Sequence, residues 1–228
     1  AVLPSQRQIL QSQNPFYCFI HYGMNTATGR EWGNATETLR DFDITKIKPV
    51  QWVKAIKASG ASGIILTCKH HDGFCLFDSR LTEYKSTNAP CGRDLVREFV
   101  DAVRAEGLRV GLYYSLIDWH HPDFPKFSDL NHPMRGNPAY QDEKIDFDRY
   151  LAYMHGQIEE LVTNYGKIDI LWFDYAYDEL RGEAWKATEL IQMVRRHQPD
   201  VVIDNRLETS GEGFGSLVTE HPAYYSGD

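Results

Sequence analysis

The sequence alternates helices that are apolar on one face with short, continuously apolar strands, and this alternation restricts the chain to a parallel α/β fold. Amphipathic segments end at a glycine or a proline, and an apolar run follows each break. Continuous apolar runs are typical of strands that are covered by helices on both faces of a sheet. Strands are predicted at residues 16–22, 63–68, 108–114, 167–173 and 201–204.

Such a series forms either a closed barrel or an open doubly wound sheet, and the sequence favours a TIM-type (β/α) barrel. No G-x-G-x-x-G follows the first strand and no G-x-x-x-x-G-K occurs, so the nucleotide-binding open sheets lose their main support. Polar or aromatic residues instead follow every predicted strand, at the end where such barrels carry their chemistry. They are His21, Lys69, His70, His71, Asp72, Tyr114, Asp174, Asp204, Asn205 and Arg206.

The length of 228 residues suits one domain, but five strands are too few to close a barrel of eight. We therefore expect residues 1–228 to form an irregular or incomplete barrel that lacks its C-terminal units. An unclosed barrel would expose strand edges and apolar helix faces, which favours a homo-oligomer. Residues 115–140 have no clear period and follow a strand, so they are predicted to form a wall of the active site.

Charge and composition narrow the class of partner. The formal net charge is -8 and the basic residues form no stripe, which argues against nucleic acid or an anionic membrane as the partner. Aromatic residues make up 13% of the chain, and aromatic faces with polar groups suit neutral sugar rings. There is no long apolar segment and no signal sequence, so the protein is expected to be cytoplasmic, or secreted or periplasmic after processing. The four cysteines have no C-x-x-C spacing and predict no disulfide framework.

Asp174 directly follows the apolar run 167–173 and is the strongest candidate for a catalytic residue. An ionised carboxylate is unfavourable in apolar surroundings, so Asp174 should have a partner or a chemical task. The alternative is a strand-end aspartate that caps the following loop. Arg206 could keep Asp174 ionised, as a nucleophile requires, or could form only an ion pair with Asp204 at the rim.

His70 and His71 are followed by Asp72 and Gly73, which favour a turn. Adjacent side chains point to opposite sides of a continuing strand, so a turn is needed for both imidazoles to face one ligand. They could then bind neighbouring hydroxyl groups, or they could serve only in packing. A metal site is a further alternative, with ligands added from the group His120, His121 and Asp123. The helical H-E-x-x-H spacing is missing, and no metal is predicted.

Glu31 and Trp32 offer a carboxylate beside an indole in the loop after the first strand. An aromatic plane against the apolar face of a sugar, with a carboxylate that accepts from hydroxyls, is a common arrangement. The alternative is a salt-bridged glutamate beside a packing tryptophan.

Five motifs together resemble one known family. They are F-I-H-Y-G at 19–23, E-W-G at 31–33, T-C-K-H-H-D-G-F at 67–74, G-L-Y-Y-S at 111–115 and L-W-F-D at 171–174. In this order they resemble the retaining α-L-fucosidases of glycoside hydrolase family 29, over residues 16–206. The position of the E-W pair differs from that in members where it lies further downstream. The resemblance implies an irregular barrel, usually followed by a β-sandwich domain that this sequence lacks.

The resemblance also implies an activity and roles for individual residues. The activity is that of a retaining exo-α-L-fucosidase that acts on fucosylated oligosaccharides or glycoconjugates, with no metal or organic cofactor. Asp174 takes the position of the nucleophile, and Glu220 resembles the acid/base of some members. The fucose-binding positions are His21, Glu31, Trp32, His70, His71, Tyr114 and Arg206. Two other functions stay open: a catalytically silent fucose-binding barrel and a metal-dependent barrel hydrolase.

Overall fold

The computed structural model describes residues 4–44, 46–177 and 179–207. Their strands form one parallel sheet in which neighbours along the chain are also neighbours in space. The strands are β1 (Tyr17–Ile20), β2 (Gly63–Lys69), β3 (Arg109–Ser115), β4 (Ile170–Asp174) and β5 (Val202–Ile203). This sequential parallel order is that of a TIM-barrel wall, so the predicted fold class is confirmed for the part of the barrel that these strands form.

Helices connect the strands. They are α1 (Gln6–Gln13), α2 (Met24–Thr28), α3 (Pro49–Ala58), α4 (Leu95–Ala105), α5 (Phe147–Asn164) and α6 (Ala187–His197). The side chains of Ser5, Asp94 and Asp146 accept from backbone N–H groups in the first turns of α1, α4 and α5, respectively. These caps satisfy donors that have no partner inside a helix, which explains the sharp starts. The short helix α2 was not predicted.

The sheet separates two apolar layers. The larger core lies between the outer face of the sheet and the helices, and it contains Leu66, Leu112, Leu171 and Ile203. The inner face carries a smaller cluster of Ile65, Tyr113 and Ile170, with Tyr17 and Trp172 against it. Because side chains alternate along a strand, Ser115 shares this inner face with Tyr113, and Asp174 shares it with Trp172. The inner face of the sheet is therefore apolar along its length and carries Ser115 and Asp174 at the carboxyl ends of β3 and β4.

The register between β2 and β3 shifts between Thr67 and Lys69. Beyond the shift, Lys69 pairs with Tyr114 and points to the outer core, where it is fully buried. Its ammonium lies 3.2 Å from Asp118 Oδ2 and 4.4 Å from the centre of the Tyr114 ring. This ion pair connects the end of β2 to the segment after β3. Because the register shift turns Lys69 to the outer core, the next residue, His70, lies on the inner side of the sheet.

The strand β1 ends earlier than the sequence predicts, because a side chain replaces the ladder. Thr67 Oγ1 accepts a hydrogen bond from Tyr22 N at 3.0 Å and donates one to Tyr22 O at 2.6 Å.

All four cysteines are unpaired thiols, and two of them are buried. No helix in the described ranges has the length and apolar character needed to cross a bilayer.

Candidate active site

Asp174 is the last residue of β4, and two donors hold its carboxylate. Tyr113 Oη donates to Asp174 Oδ2 at 2.6 Å, and the Arg206 guanidinium forms an ion pair with Oδ1. The Asp174 side chain is only 14% exposed. Both oxygens of the Asp174 side chain therefore have a donor, and the two contacts fix the position of the group. The structure therefore brings together Asp174 and Arg206, as the sequence predicts, and adds Tyr113.

His70 and His71 lie beside each other, with ring centres 3.9 Å apart and planes inclined by 32°. The His21 ring is 4.5 Å from that of His70. Burial lowers the pKa of His70 to about 2, and the neighbouring imidazoles of His71 and His21 act in the same direction. Burial also lowers the pKa of His71 to about 3, with contributions from His21 and Lys69. Both imidazoles are therefore neutral near pH 7 and act as hydrogen-bonding groups rather than as charges.

His21 comes directly after β1, and it completes a cluster of three imidazoles with His70 and His71. Burial lowers the pKa of His21, and the negative charge of Asp174 partly offsets this effect. The electrostatic influence of Asp174 also reaches His70. The predicted nucleophile and the histidines thus belong to one site at the carboxyl ends of β1, β2 and β4.

Aromatic rings form a wall beside the histidine pair. Trp32 is 44% exposed, and its ring centre lies 5.6 Å from that of His71 and 5.9 Å from those of Trp119 and Tyr175. Tyr175 directly follows Asp174, has a φ of 80° and packs 4.5 Å from the His71 ring. A non-glycine residue in this left-handed region is uncommon, and such residues cluster at functional sites. The exposed face of Trp32 is available to the apolar face of a sugar ring.

Glu31 lies next to Trp32, but its side chain is in solvent. Its backbone carbonyl accepts a hydrogen bond from Asn25 Nδ2 at 3.1 Å, and the same nitrogen lies 3.1 Å from His70 Nδ1. Glu31 is therefore linked to the histidine pair through its backbone, and the predicted role of its carboxylate stays a prediction.

The structure does not bring Tyr114 to the site. This residue lies on the outer face of β3, is fully buried, and donates from Oη to Gln157 Oε1 at 2.7 Å. Its predicted place in the pocket is therefore wrong, because adjacent strand residues face opposite sides of a sheet. The tyrosine that reaches the pocket is Tyr113.

Several further residues of the site were not predicted: Asn25, Tyr113, Ser115, Trp119 and Tyr175. A signal for two of them is present in the sequence. Counting back in steps of two from the strand ends places Tyr113 and Ser115 on one face, opposite Trp172 and Asp174 in the neighbouring strand.

The predicted acid/base, Glu220, lies outside the described residues. Asp204 is a second carboxyl group near Asp174, but it is fully buried and its Oδ1 accepts from Phe173 N at 3.1 Å. Burial raises the pKa of Asp204 well above its ordinary value, and the Asp174 carboxylate adds to this effect. Because Asp204 is fully buried and bound to the backbone of β4, it offers no accessible carboxyl group to a departing oxygen and does not replace Glu220 as the candidate.

The alternative metal ligands do not join the histidine pair. The His120 ring stacks on Tyr84 at 4.0 Å, and the His121 ring packs 4.4 Å from Tyr153. Asp123 Oδ1 accepts from Asp146 N at 3.0 Å. Across residues 4–44, 46–177 and 179–207, no three His, Cys, Asp or Glu side chains converge as a metal site would require. These contacts give the metal-dependent alternative no support.

Known proteins of similar sequence and structure include several alpha-L-fucosidases. The family profile described as alpha-L-fucosidase matches residues 10–221. Alpha-L-fucosidase 1 of Arabidopsis thaliana is 34% identical over 209 aligned residues, which cover 88% of this chain and 37% of that protein. The solved structure of alpha-L-fucosidase isoenzyme 1 from Paenibacillus thiaminolyticus has 52% identity and a TM-score of 0.85, covering 89% of this chain and 51% of that one.

A more distant neighbour carries a ligand. It is alpha-L-fucosidase AlfC from Lactobacillus casei in complex with alpha-L-fucose product, with 26% identity, a TM-score of 0.75 and coverage of 90% of this chain and 71% of that one. The present chain thus spans between about a third and about a half of the Arabidopsis and Paenibacillus proteins.

Proposed function

The chain belongs to the alpha-L-fucosidase family, and on that basis we propose that it carries the catalytic site of a retaining exo-α-L-fucosidase. The observation that supports this most strongly is the Asp174 carboxylate, held by Tyr113 and Arg206 at the carboxyl end of β4, in one site with the histidine pair. The aromatic wall around Trp32 suits the apolar face of a sugar.

The first chemical step is displacement at the anomeric carbon. An Asp174 oxygen forms a bond to that carbon while the bond to the aglycone oxygen breaks, and Glu220 gives its proton to the departing oxygen. The product of this step is a covalent fucosyl-enzyme ester. Water then attacks the same carbon, Glu220 takes the proton of the water, and Asp174 leaves as a carboxylate. Two inversions leave the configuration of the sugar unchanged.

Tyr113 and Arg206 contribute to both steps. They stabilise the Asp174 carboxylate before attack, and they stabilise it again as it leaves the sugar in the second step. The imidazoles of His70, His71 and His21 bind hydroxyl groups without adding charge to the pocket. A neutral sugar is therefore bound by hydrogen bonds and by aromatic contact, with no ion needed for recognition.

The proposed substrate is a fucosylated oligosaccharide or glycoconjugate with α-L-fucose at its non-reducing end. Support comes from the family and from the Lactobacillus casei neighbour, whose structure is a complex with alpha-L-fucose product. Self-association of the chain stays a prediction from its sequence.

Trapping of the intermediate tests the role of Asp174. A 2-fluoro fucosyl fluoride should inactivate the protein with a mass increase of one fluorofucosyl group, and peptide mass spectrometry should place that group on Asp174. With an aryl fucoside, Asp174→Asn should lower kcat by roughly 10⁴-fold, and the first product of the unchanged protein should be α-fucose. A label on another carboxylate, or a β-anomer as first product, would overturn the assignment.

The role of Glu220 has its own test. Good leaving groups need little protonation, so Glu220→Gln should retain much of the first-step rate with an activated aryl fucoside and lose turnover of fucosyl disaccharides. An equal loss of the first-step rate with the aryl fucoside and with the disaccharide would contradict the acid/base role of Glu220. A catalytically silent binding protein would instead bind fucose in calorimetry, turn over neither substrate and take up no label.

A further inference from the structure

The two neighbouring histidines of the pocket are each held at Nδ1 by a different partner. His71 Nδ1 lies 2.7 Å from Ser115 Oγ, and His70 Nδ1 lies 3.1 Å from Asn25 Nδ2. We propose that Ser115 and Asn25 are positioning residues that lock the pair in opposite tautomers, so that the sugar meets an N–H donor on His70 and a bare acceptor nitrogen on His71. The sugar specificity drawn from this pair rests on the proposed fucosidase function.

The direction of the hydrogen bond between Ser115 and His71 follows from a second contact of the Ser115 hydroxyl. Its hydroxyl has one proton, and the Ser115 Oγ also lies 3.0 Å from the carbonyl oxygen of Ile117, which can only accept. Both contacts are hydrogen bonds only if Ser115 donates to Ile117 and accepts from His71 Nδ1–H. All three residues are buried, and the reverse arrangement would leave the carbonyl without the Ser115 donor at a cost of about 1–3 kcal/mol. Neutral His71 therefore carries its proton on Nδ1, and its Nε2 is an acceptor.

The hydrogen bond between Asn25 and His70 is assigned in the same way, and here the histidine nitrogen is the acceptor. Its Nδ2 lies 3.1 Å from the backbone carbonyl of Glu31, which needs a donor, so the amide nitrogen must be the atom that faces both partners. The second amide proton then points to His70 Nδ1, which must accept it. Neutral His70 therefore carries its proton on Nε2.

The environment keeps both rings in these neutral forms. Burial lowers the pKa of His70 to about 2, and the close approach of the His71 ring adds to this effect. Burial likewise lowers the pKa of His71 to about 3, with contributions from His21, Lys69 and Arg206. The charged and titratable groups that face the pair are His21, Lys69, Asp72, Arg206 and Asp174. His21 disfavours protonation of both rings, Lys69 and Arg206 disfavour it for His71, and Asp174 favours it for His70. Asp72 Oδ2 lies 3.9 Å from His70 Nδ1. Neither ring can become a double donor near neutral pH.

A donor next to an acceptor selects a particular arrangement on the sugar. One hydroxyl must accept from His70 Nε2–H, and a neighbouring hydroxyl must donate to His71 Nε2. Fluorine accepts weakly and cannot donate, so a fluorine is tolerated opposite His70 and rejected opposite His71. The histidine pair thereby distinguishes two hydroxyl positions of the sugar that do not differ in charge or in volume.

Nitrogen NMR of ¹⁵N-histidine-labelled protein without ligand tests the tautomers directly, because protonated and bare ring nitrogens resonate far apart. The signals are assigned by their loss in His70→Gln and His71→Gln. We expect a proton on Nε2 of His70 and on Nδ1 of His71. The same tautomer in both rings, or a charged ring at pH 7, would overturn the proposal. Because no substrate is present, failure here would leave the fucosyl adduct on Asp174 as a separate question.

Monofluorinated aryl fucosides test the consequence for recognition. Fluorine at C3 and at C4 is compared, since fluorine at C2 perturbs the reacting carbon itself. At one of these positions we expect a loss of kcat/KM of roughly 10- to 100-fold, as for a lost hydrogen bond in a buried site. In Ser115→Ala, His71 is free to place its proton on Nε2, so kcat/KM for the parent fucoside should fall about tenfold while the fluorine penalty shrinks.

A second buried serine provides the matched control. Ser86 is fully buried and donates to Arg93 O at 2.7 Å, and its other hydrogen bonds are to Cys75, Ala89 and Cys91 rather than to either histidine. Ser86→Ala should keep the wild-type fluorine penalty and the wild-type ¹⁵N signals of both histidines. If Ser115→Ala keeps them too, while remaining folded by circular dichroism, Ser115 has only a structural role and the proposal is wrong.

Discussion

At the scale of single residues, the two adjacent tyrosines of β3 show how one step along a strand changes the role of a side chain. Both are buried and both donate one hydrogen bond, Tyr113 to the Asp174 carboxylate at 2.6 Å and Tyr114 to Gln157 at 2.7 Å. Their chemistry is the same, but the first faces the pocket and the second faces the helices. Under the proposed function, we expect the hydrogen bond to Asp174 to affect catalysis and the hydrogen bond to Gln157 to affect only the stability of the core.

Tyr113→Phe and Tyr114→Phe therefore form a matched pair. The first variant should lower kcat for an aryl fucoside by roughly 10- to 100-fold, because it removes a donor from the Asp174 carboxylate. The second should leave kcat within about twofold and cost roughly 1 kcal/mol of unfolding free energy, because it leaves Gln157 Oε1 without that donor. Steady-state kinetics and urea unfolding measure both effects. Equal kinetic losses would contradict the assignment of faces.

At the scale of elements, the turn that follows β2 determines where both histidines point. The register shift places Lys69 in the outer core, and Gly73 N then donates to His70 O at 3.0 Å to close the turn. Gly73 has a φ of 80°, and a Cβ on it would overlap Asp118 Oδ1 and lie 2.9 Å from His120 Cβ. This turn therefore requires glycine both for its backbone conformation and for the close approach of the segment after β3.

Gly73→Ala tests this requirement, with Gly107→Ala as its control. Gly107 follows the end of α4 with a φ of 68°, and a Cβ there would have no atom within 4 Å. We expect Gly107→Ala to cost about 1–2 kcal/mol from the left-handed backbone alone. Gly73→Ala should cost about 3 kcal/mol or more, because overlap with Asp118 adds to the backbone term. Chemical denaturation measures both values, and similar losses in the two variants would show that the close approach is unimportant.

At the scale of the whole molecule, the features that could be predicted are those that depend on local pattern. Continuous apolar runs indicated β2 and β3, because helices pack on the outer faces of these strands. Asp174 could be predicted because a charge directly after a buried strand is costly unless it has a partner.

The rest of the site depends on contacts between distant positions. The bonds from Asn25 to His70 and from Ser115 to His71 join residues that are 45 and 44 positions apart. No local pattern in the sequence indicates such pairs. The wrong face for Tyr114 has another cause, since a family motif identifies a segment but does not state which of two adjacent side chains points inward.

The whole molecule also contains buried ionisable groups whose effects on stability oppose each other. Asp72 is fully buried, its Oδ1 accepts from Phe74 N at 2.8 Å, and burial raises its pKa to about 7, with the charges of Glu37 and Asp118 adding to the effect. Between about pH 4 and pH 7, folded Asp72 keeps a proton that the unfolded chain loses. The stability from Asp72 is therefore complete below about pH 4 and is lost as the pH rises through 7.

His70 and His71 have the opposite sign, because their pKa values of about 2 and 3 lie below the ordinary 6.5. Their contribution to the unfolding free energy is complete above pH 6.5 and is lost as the pH falls. The reason is that the histidines of the unfolded chain then bind protons, whereas those of the folded chain stay neutral. Each group changes the unfolding free energy by at most about 1.4 kcal/mol per pH unit. Between pH 4 and pH 6.5, Asp72 thus masks part of the acid sensitivity of the histidines.

Asp72→Asn should remove this masking while keeping the Oδ1 acceptor for Phe74 N. We expect its unfolding free energy to fall more steeply than that of the wild type as the pH is lowered from 6.5 to about 4. The two proteins should be closest in stability at about pH 4, where Asp72 is protonated and neutral like asparagine. As the pH rises, Asp72→Asn should become the more stable of the two, and the difference should stay constant above about pH 7. Urea unfolding across this range measures the effect, and Asp43→Asn, at an exposed position, is the control. Parallel curves for wild type and Asp72→Asn would mean that the Asp72 carboxyl group titrates alike in the folded and unfolded states.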